Sequence, residues 1–375
     1  MTLLRPHPAK SPTSKAMTIQ KKRRASKRMI GAVAIGLAII VSSCFGQPSA
    51  GTTDEEYPVT SANKKLSPFA PGATHFWGVS LEYFSYAEHS TLNDIFPDWP
   101  DSILNSPFIQ GKPKSTEYGL MFGINYEATI RDHGSPLLFR PNVAVQFGFH
   151  QTYDGSSQDS VITDNFGNIL RHQFFPIKDN KSNYFLQAGL DVGYSLFRTT
   201  VPFYLYSGLK GNLWYRDLVA DTTSYSNQVT SSELYYWFTM PVGVAVSMPV
   251  SSTLTIGIDA CCDLLFFGQM QAFDSWWDSD TTANTVSPAV TLGDRIGCHV
   301  ELPITFEAES GTVYRFVPYV KIYSFGKSET QTSKNYINNN YQPGQDQTFW
   351  EPASSSWLIG IKLQVVSRSS NSRAN

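Results

Sequence analysis

Ten stretches of this chain alternate apolar and polar residues with period two, and the connections between them alternate long and short throughout. Successive side chains leave opposite faces of a strand, so each stretch reads as a β-strand with one apolar face. The expected strands are 75–86, 117–130, 137–152, 183–196, 203–216, 233–248, 253–267, 291–307, 312–324 and 356–366. Segments 131–136, 197–202, 249–252 and 308–311 are turn-length. Segments 87–116, 153–182, 217–232, 268–290 and 325–355 are long. The hairpin from Asn183 to Arg216 shows the code. Leu186, Leu190, Phe203 and Leu205 share an apolar face, Asp191 and Lys210 lie on the other, and Arg198-Thr199-Thr200 is the turn.

An even number of such strands, with short turns at one end and long loops at the other, fits a closed antiparallel up-and-down transmembrane β-barrel. The fold class is all-β. Closure also removes unpaired strand edges, which hydrocarbon does not tolerate. A secreted β-sandwich is the competing architecture, since its strands alternate too. The non-apolar faces here are rich in Gly, Ser, Asn and ions of both signs, which reads as a narrow lumen. Barrel strands then face lipid with Leu186, Leu190, Phe203 and Leu205, and the lumen with Asp191 and Lys210.

Charge separates a leader from the rest. Nine basic residues and no acids lie in the first 46 positions, so the remainder holds 20 basic against 31 acidic residues, a net charge of −11. That balance argues against a nucleic-acid partner. The basic run ending at Arg28, followed by the apolar run Met29–Ser43, reads as a secretory signal over 1–46, with Met17 a plausible true start. Two cut sites compete: Val41-Ser42-Ser43-Cys44 as a lipobox with lipid on Cys44, or cleavage after Gly46. Residues 47–74 read as a flexible leader, 75–366 as the barrel and 367–375 as a polar tail. No long apolar run follows residue 46, so no transmembrane helix is expected there.

The pattern resembles the outer-membrane β-barrel proteins of Gram-negative bacteria, broadly in the style of small OmpA/OmpX-like barrels. The resemblance covers roughly 75–366 and rests on pattern. It implies a bacterial outer-membrane location with both barrel ends periplasmic, and outer-membrane lipid and the barrel assembly machinery as partners. The chain departs from it by continuing past Val366 instead of ending in an aromatic residue.

Fourteen charged residues are expected on the lumen face: Glu82, Glu127, Asp191, Asp259, Asp263, Glu301 and Glu307 against Arg131, Arg140, Lys210, Arg295, Arg315, Lys321 and Lys362. Buried charges must pair. They form either a salt-bridged interior or the charged constriction of a narrow pore. The loop aromatics Trp99, Trp276, Trp277 and Trp350 stand beside acids and suggest an external binding surface for an unknown ligand. Residues 161–175 suggest a hairpin standing above the membrane. Cys262 and Cys298 are expected outward on neighbouring strands, as a disulfide or as two packed thiols. His89 and His172 fall in loops, where ten-strand outer-membrane proteases carry rim sites, but no spacing singles out a catalytic group. No His/Cys cluster has metal-ligand spacing, so no metal or cofactor is assigned. The expected role is structural or surface-interacting, not enzymatic, with a narrow solute channel as the alternative and a rim hydrolase as a distant third.

Overall fold

The computed structural model describes residues 69, 71–92, 105, 109–110, 113–132, 135–158, 162–163, 169–197, 202–218, 230–278, 281–286, 289–293, 296–333, 336–337, 340–341 and 347–369. Its staves are β1 (Gly72–Glu88), β2 (Ser115–Arg131), β3 (Leu137–Gln158), β4 (Ile169–Phe197), β5 (Phe203–Leu218), β6 (Thr230–Pro249), β7 (Leu254–Asp278), β8 in two pieces (Ile296–Glu301 and Ile304–Glu307), β9 (Val313–Phe325) and β10 (Ser354–Ser369). Each pairs antiparallel with its sequence neighbours. β10 then returns to β1, with Ile359 opposite Tyr83, and closes the sheet. Closure excludes the sandwich, because no stave is left as an edge.

The outward faces are apolar and uncovered. Trp77 is 57% exposed, Ile124 63% and Leu363 54%. A soluble surface does not carry a continuous band of this kind. Moving each such side chain from water into hydrocarbon is worth about 1.5–3 kcal/mol. Aromatic pairs bracket the aliphatic residues on β1: Trp77 against Tyr126 below, at 4.2 Å between ring centroids, and Tyr83 against Trp357 above, at 5.5 Å. Girdles at both edges of an apolar band mark a barrel seated in a bilayer. No helix among the described residues is long and apolar enough to cross a membrane; the crossing is made by strands. The chain is a transmembrane β-barrel of the outer-membrane type.

Three local departures from simple alternation matter. A register shift between Gly148 and Gln151 puts two consecutive residues, Phe149 and His150, on the outside. His150 takes a left-handed φ of 54°, and Gln151 turns fully inward. Simple alternation along 137–152 would set His150 on the inward face with Arg140 and Gln146, but the bulge inverts the code beyond it. The stretch expected as one strand over 291–307 is broken instead. Val290–Thr291 pairs separately with β7, and β8 parts at Leu302-Pro303. Pro303 has no N–H to give the ladder, though its carbonyl accepts from Gly257 N at 2.7 Å. Finally, β3 and β4 keep pairing above the belt to Gln158 opposite Phe174, and Ile162–Thr163 continues the ladder against Arg171 and Ile169. The expected raised hairpin is thus present at its described positions.

Candidate functional site: the lumen

One stave gives a vertical section of the interior. From the bottom, the inward residues of β5 are Tyr204, Tyr206, Gly208, Lys210, Asn212, Trp214 and Arg216. They define an aromatic floor, an ionic middle, an aromatic layer and a charged cap.

The floor is completed from outside the staves. Phe69, just ahead of β1, enters the lower mouth and packs 4.7 Å from the Tyr204 ring, with Leu138 and Ala245 alongside. Arg131 Nη1 donates to the Phe69 carbonyl at 3.1 Å and fixes the segment there. Arg131 is therefore a rim residue that holds the stopper. Glu307 also stands at the lower end, half-buried.

Above the floor lies a chamber of about 100 Å³. Its wall carries most of the expected charges. Arg140 binds Asp259 and, at 3.1 Å, Asp191, with its guanidinium 4.1 Å from the Tyr206 ring. Gly243 makes that ring position possible, since a Cβ there would lie 2.5 Å from Tyr206 Cζ. Glu127 joins Arg315 at 2.6 Å and Lys362 at 2.9 Å, and Lys362 also reaches Glu301 at 2.8 Å. Lys210 meets Asp263 at 3.6 Å, beside Cys261 and His299. The staves bring these groups together because even-numbered spacing on each strand repeats the same inward direction.

Lys321 and Glu82 lie in each other's field but form no salt bridge among the described residues. Lys321 Nζ meets the Gln187 amide oxygen at 3.4 Å and stands 5.3 Å from the Tyr319 ring centroid. Glu82 Oε1 accepts from Ser80 at 3.1 Å and from Gln146, while its Oε2 accepts from no protein group. Among the described residues, Asn125 Nδ2, Asp191 Oδ1 and Arg315 Nε are also buried without a hydrogen-bond partner, and the Tyr319 hydroxyl, beside Glu82 and Ser80, makes none of good geometry. All six residues, Lys321 and Glu82 included, line the chamber. Buried polar atoms of this kind need water or a ligand.

Over the chamber sits the aromatic layer. Phe185 stacks on Trp214 at 5.0 Å, Trp214 on Tyr235 at 4.8 Å, and Trp237 meets Phe325 edge-on at 5.2 Å. Phe84, Tyr86, Met121, Met270 and Leu358 fill the remaining space. Arg216 caps it, 1% exposed, with its guanidinium 4.5 Å from the Tyr86 ring. It donates to Glu117 at 3.1 Å, Glu88 at 3.1 Å and also Glu233. The last long loop reaches this point. Glu351 accepts from Tyr235 OH at 2.7 Å and from Tyr86 OH at 3.2 Å. Its backbone is clasped by Ser328, whose hydroxyl accepts from Glu351 N at 2.7 Å. Burial, reinforced by Glu88 and Glu233, pushes the Glu351 carboxyl well above the ordinary carboxylate range.

The aromatic layer and its Arg216 cap were not among the expected lumen residues. The signal was present: Trp214 and Arg216 share the parity of Lys210, and Tyr235 and Trp237 that of Glu233. Of the expected groups, Arg295, Trp99 and Cys44 lie outside the described residues. Trp276 and Trp277 stand at the upper end of β7, opposite Ala283 and Thr282, and Trp350 receives Lys327 at 4.9 Å from its ring. Cys262 and Cys298 face outward directly opposite one another as free thiols, with sulfurs 3.5 Å apart.

No family model matches the chain, and no curated protein matches it. Among solved structures, a deletion mutant of the monoaromatic hydrocarbon channel TodX aligns over 85% of this chain and 97% of that one, at 7% identity and a TM-score of 0.33. A major outer membrane protein from Thermus thermophilus aligns over 78% and 99%, at 11% identity and a TM-score of 0.28. A Pseudomonas aeruginosa FadL homologue aligns over 80% and 91%, at 8% and 0.28. Likeness at this level carries no argument about site or mechanism; the membrane-barrel assignment rests on the closed sheet and its apolar belt.

Proposed function

We propose that the protein is a narrow channel for small polar solutes across the bacterial outer membrane, with both barrel ends periplasmic and its conduit shut in this conformation. The observation that carries the reading is the chamber. Well-packed interiors keep few unmatched polar atoms, whereas among the described residues Glu82, Asn125, Asp191, Arg315 and Tyr319 each present one in the chamber wall. Such a wall is built for water and for what travels with it. Lys321 and Glu82, neither held in a salt bridge among the described residues, suit solutes that carry both signs. Among the described residues, side chains, the Phe69 segment and the last long loop stopper the two ends, so opening requires no unfolding of a stave.

The test is conductance of the full chain in planar bilayers, on protein shown by heat-modifiable gel migration to be folded. Small steps are expected from the wild type, and larger ones from Trp214→Ala, which removes one of the two indole rings of the layer. Silence of both folded proteins overturns the channel.

A structural or surface-interaction role is the second reading. The mutual pairing of Arg140, Asp191 and Asp259, and of Arg315, Lys362, Glu127 and Glu301, favours it by bracing the interior. The external loops, with Trp350, and the upper end of β7, with Trp276 and Trp277, would then supply the binding surface.

A further inference from the structure

The wall beside Lys210 carries a second kind of chemistry. Cys261 and Asp263 stand two residues apart on β7 and so project on the same inward face. His299 on β8 lies directly opposite Cys261 in the ladder. Opposite Asp263 is Gly297, which adds no side chain there; a Cβ would stand 3.6 Å from Asp263 Cβ and 3.4 Å from the Tyr323 ring. Cys261 Sγ is 3.0 Å from His299 Nδ1 and 3.5 Å from Nε2. Asp263 Oδ2 is 3.3 Å from His299 Nδ1, and Asp263 Oδ1 is 3.6 Å from the sulfur. One sulfur, one nitrogen and one oxygen donor therefore lie within 4.8 Å of one another, and all three residues are buried.

We propose that Cys261, Asp263 and His299 bind a borderline divalent transition-metal ion of the zinc class, with a further coordination position toward the chamber. The donor set selects the class. Thiolate and imidazole suit zinc or cobalt, whereas magnesium and calcium take oxygen ligands. The same three residue types also make nucleophilic triads, but a triad holds acid and nucleophile at opposite ends of the imidazole. Here sulfur and carboxylate touch each other on one side of the ring, which is convergence on a point. Access comes from the chamber, which His299 lines. On binding, the thiol proton leaves to chamber water and a sulfur–metal bond replaces the S–H bond. Lys210, 3.6 Å from Asp263 Oδ1, offsets the carboxylate charge and leaves Oδ2 for the ion. The bound ion would staple β7 to β8 close to the interruption at Leu302-Pro303.

The experiment refolds the full chain from urea with Co²⁺ and records its absorption. One equivalent should give a near-ultraviolet thiolate-to-cobalt band that Zn²⁺ abolishes. Cys261→Ser and His299→Gln, checked for heat-modifiable migration, should lose or alter the band. The double variant Cys262→Ser/Cys298→Ser, which removes the outward thiols, should keep it. Absence of the band in the folded wild type, or its dependence on Cys262 and Cys298 instead of Cys261, overturns the site. Neither result touches the channel reading, which stands or falls on conductance.

Discussion

The upper and middle thirds of the lumen are built from the same inward parity and solve opposite problems. Above, Arg216 and the carboxylates of Glu88, Glu117 and Glu233 are sealed against Trp214, Tyr86 and Tyr235, with Glu351 from the last loop hydrogen-bonded to the two tyrosines. In the middle, charges of both signs share a chamber in which several polar atoms have no protein partner. Bulky rings exclude water from one level, and short or thin side chains leave room for it in the other. A charge costs most where water cannot follow it. The dry layer therefore depends on its ion pairs, and the chamber can tolerate the loss of one.

The sharpest break of that contrast is Arg216→Met. It strips Glu117, fully buried beside Glu88 and Glu233, of its guanidinium and leaves Lys181 as the nearby cation, and should destabilise the barrel by about 3–5 kcal/mol. Urea unfolding followed by gel migration reads it, and a loss under about 1 kcal/mol would mean the layer is wetter than its packing implies. An intermediate effect is expected at Glu351, whose carboxyl group is raised in the folded state. The stability it contributes is complete below the ordinary carboxylate range and is lost as pH rises through the raised value. The wild-type unfolding midpoint should fall over that interval. Glu351→Gln, which mimics the protonated acid, should fall less, and parallel profiles would show that the loop contact does not titrate. The smallest effect is expected from Lys321→Met in the chamber. Lys321 has no carboxylate partner among the described residues, so its removal should shift stability by about 1 kcal/mol or less. The ion selectivity of the conducting protein should still move toward cations.

Much of this was legible in the chain order. The period-two runs located every stave, and the long–short rhythm of the connections gave the meander. Parity also placed Glu82, Asp191, Lys210 and Lys362 inside, because a strand leaves a side chain only two directions. Where it failed, a local event broke the period. The bulge at Gly148–Gln151 turned His150 out, and Pro303 split β8.

The sequence by itself determined the all-β class, the apolar belt and which residues face inward, since these follow from alternation along single strands. Only the tertiary structure decided the height at which each inward residue sits and what it meets across the lumen. Inter-strand register and closure are properties of pairs of strands, and no spacing along one strand encodes them. That is why Arg216 and Glu117, 99 positions apart, meet only in the folded barrel, as do Cys261 and His299, 38 apart. The hairpin from Asn183 to Arg216 carries both lessons: its faces could be read from the chain, but its Trp214 became part of a seal only when the sheet closed around it.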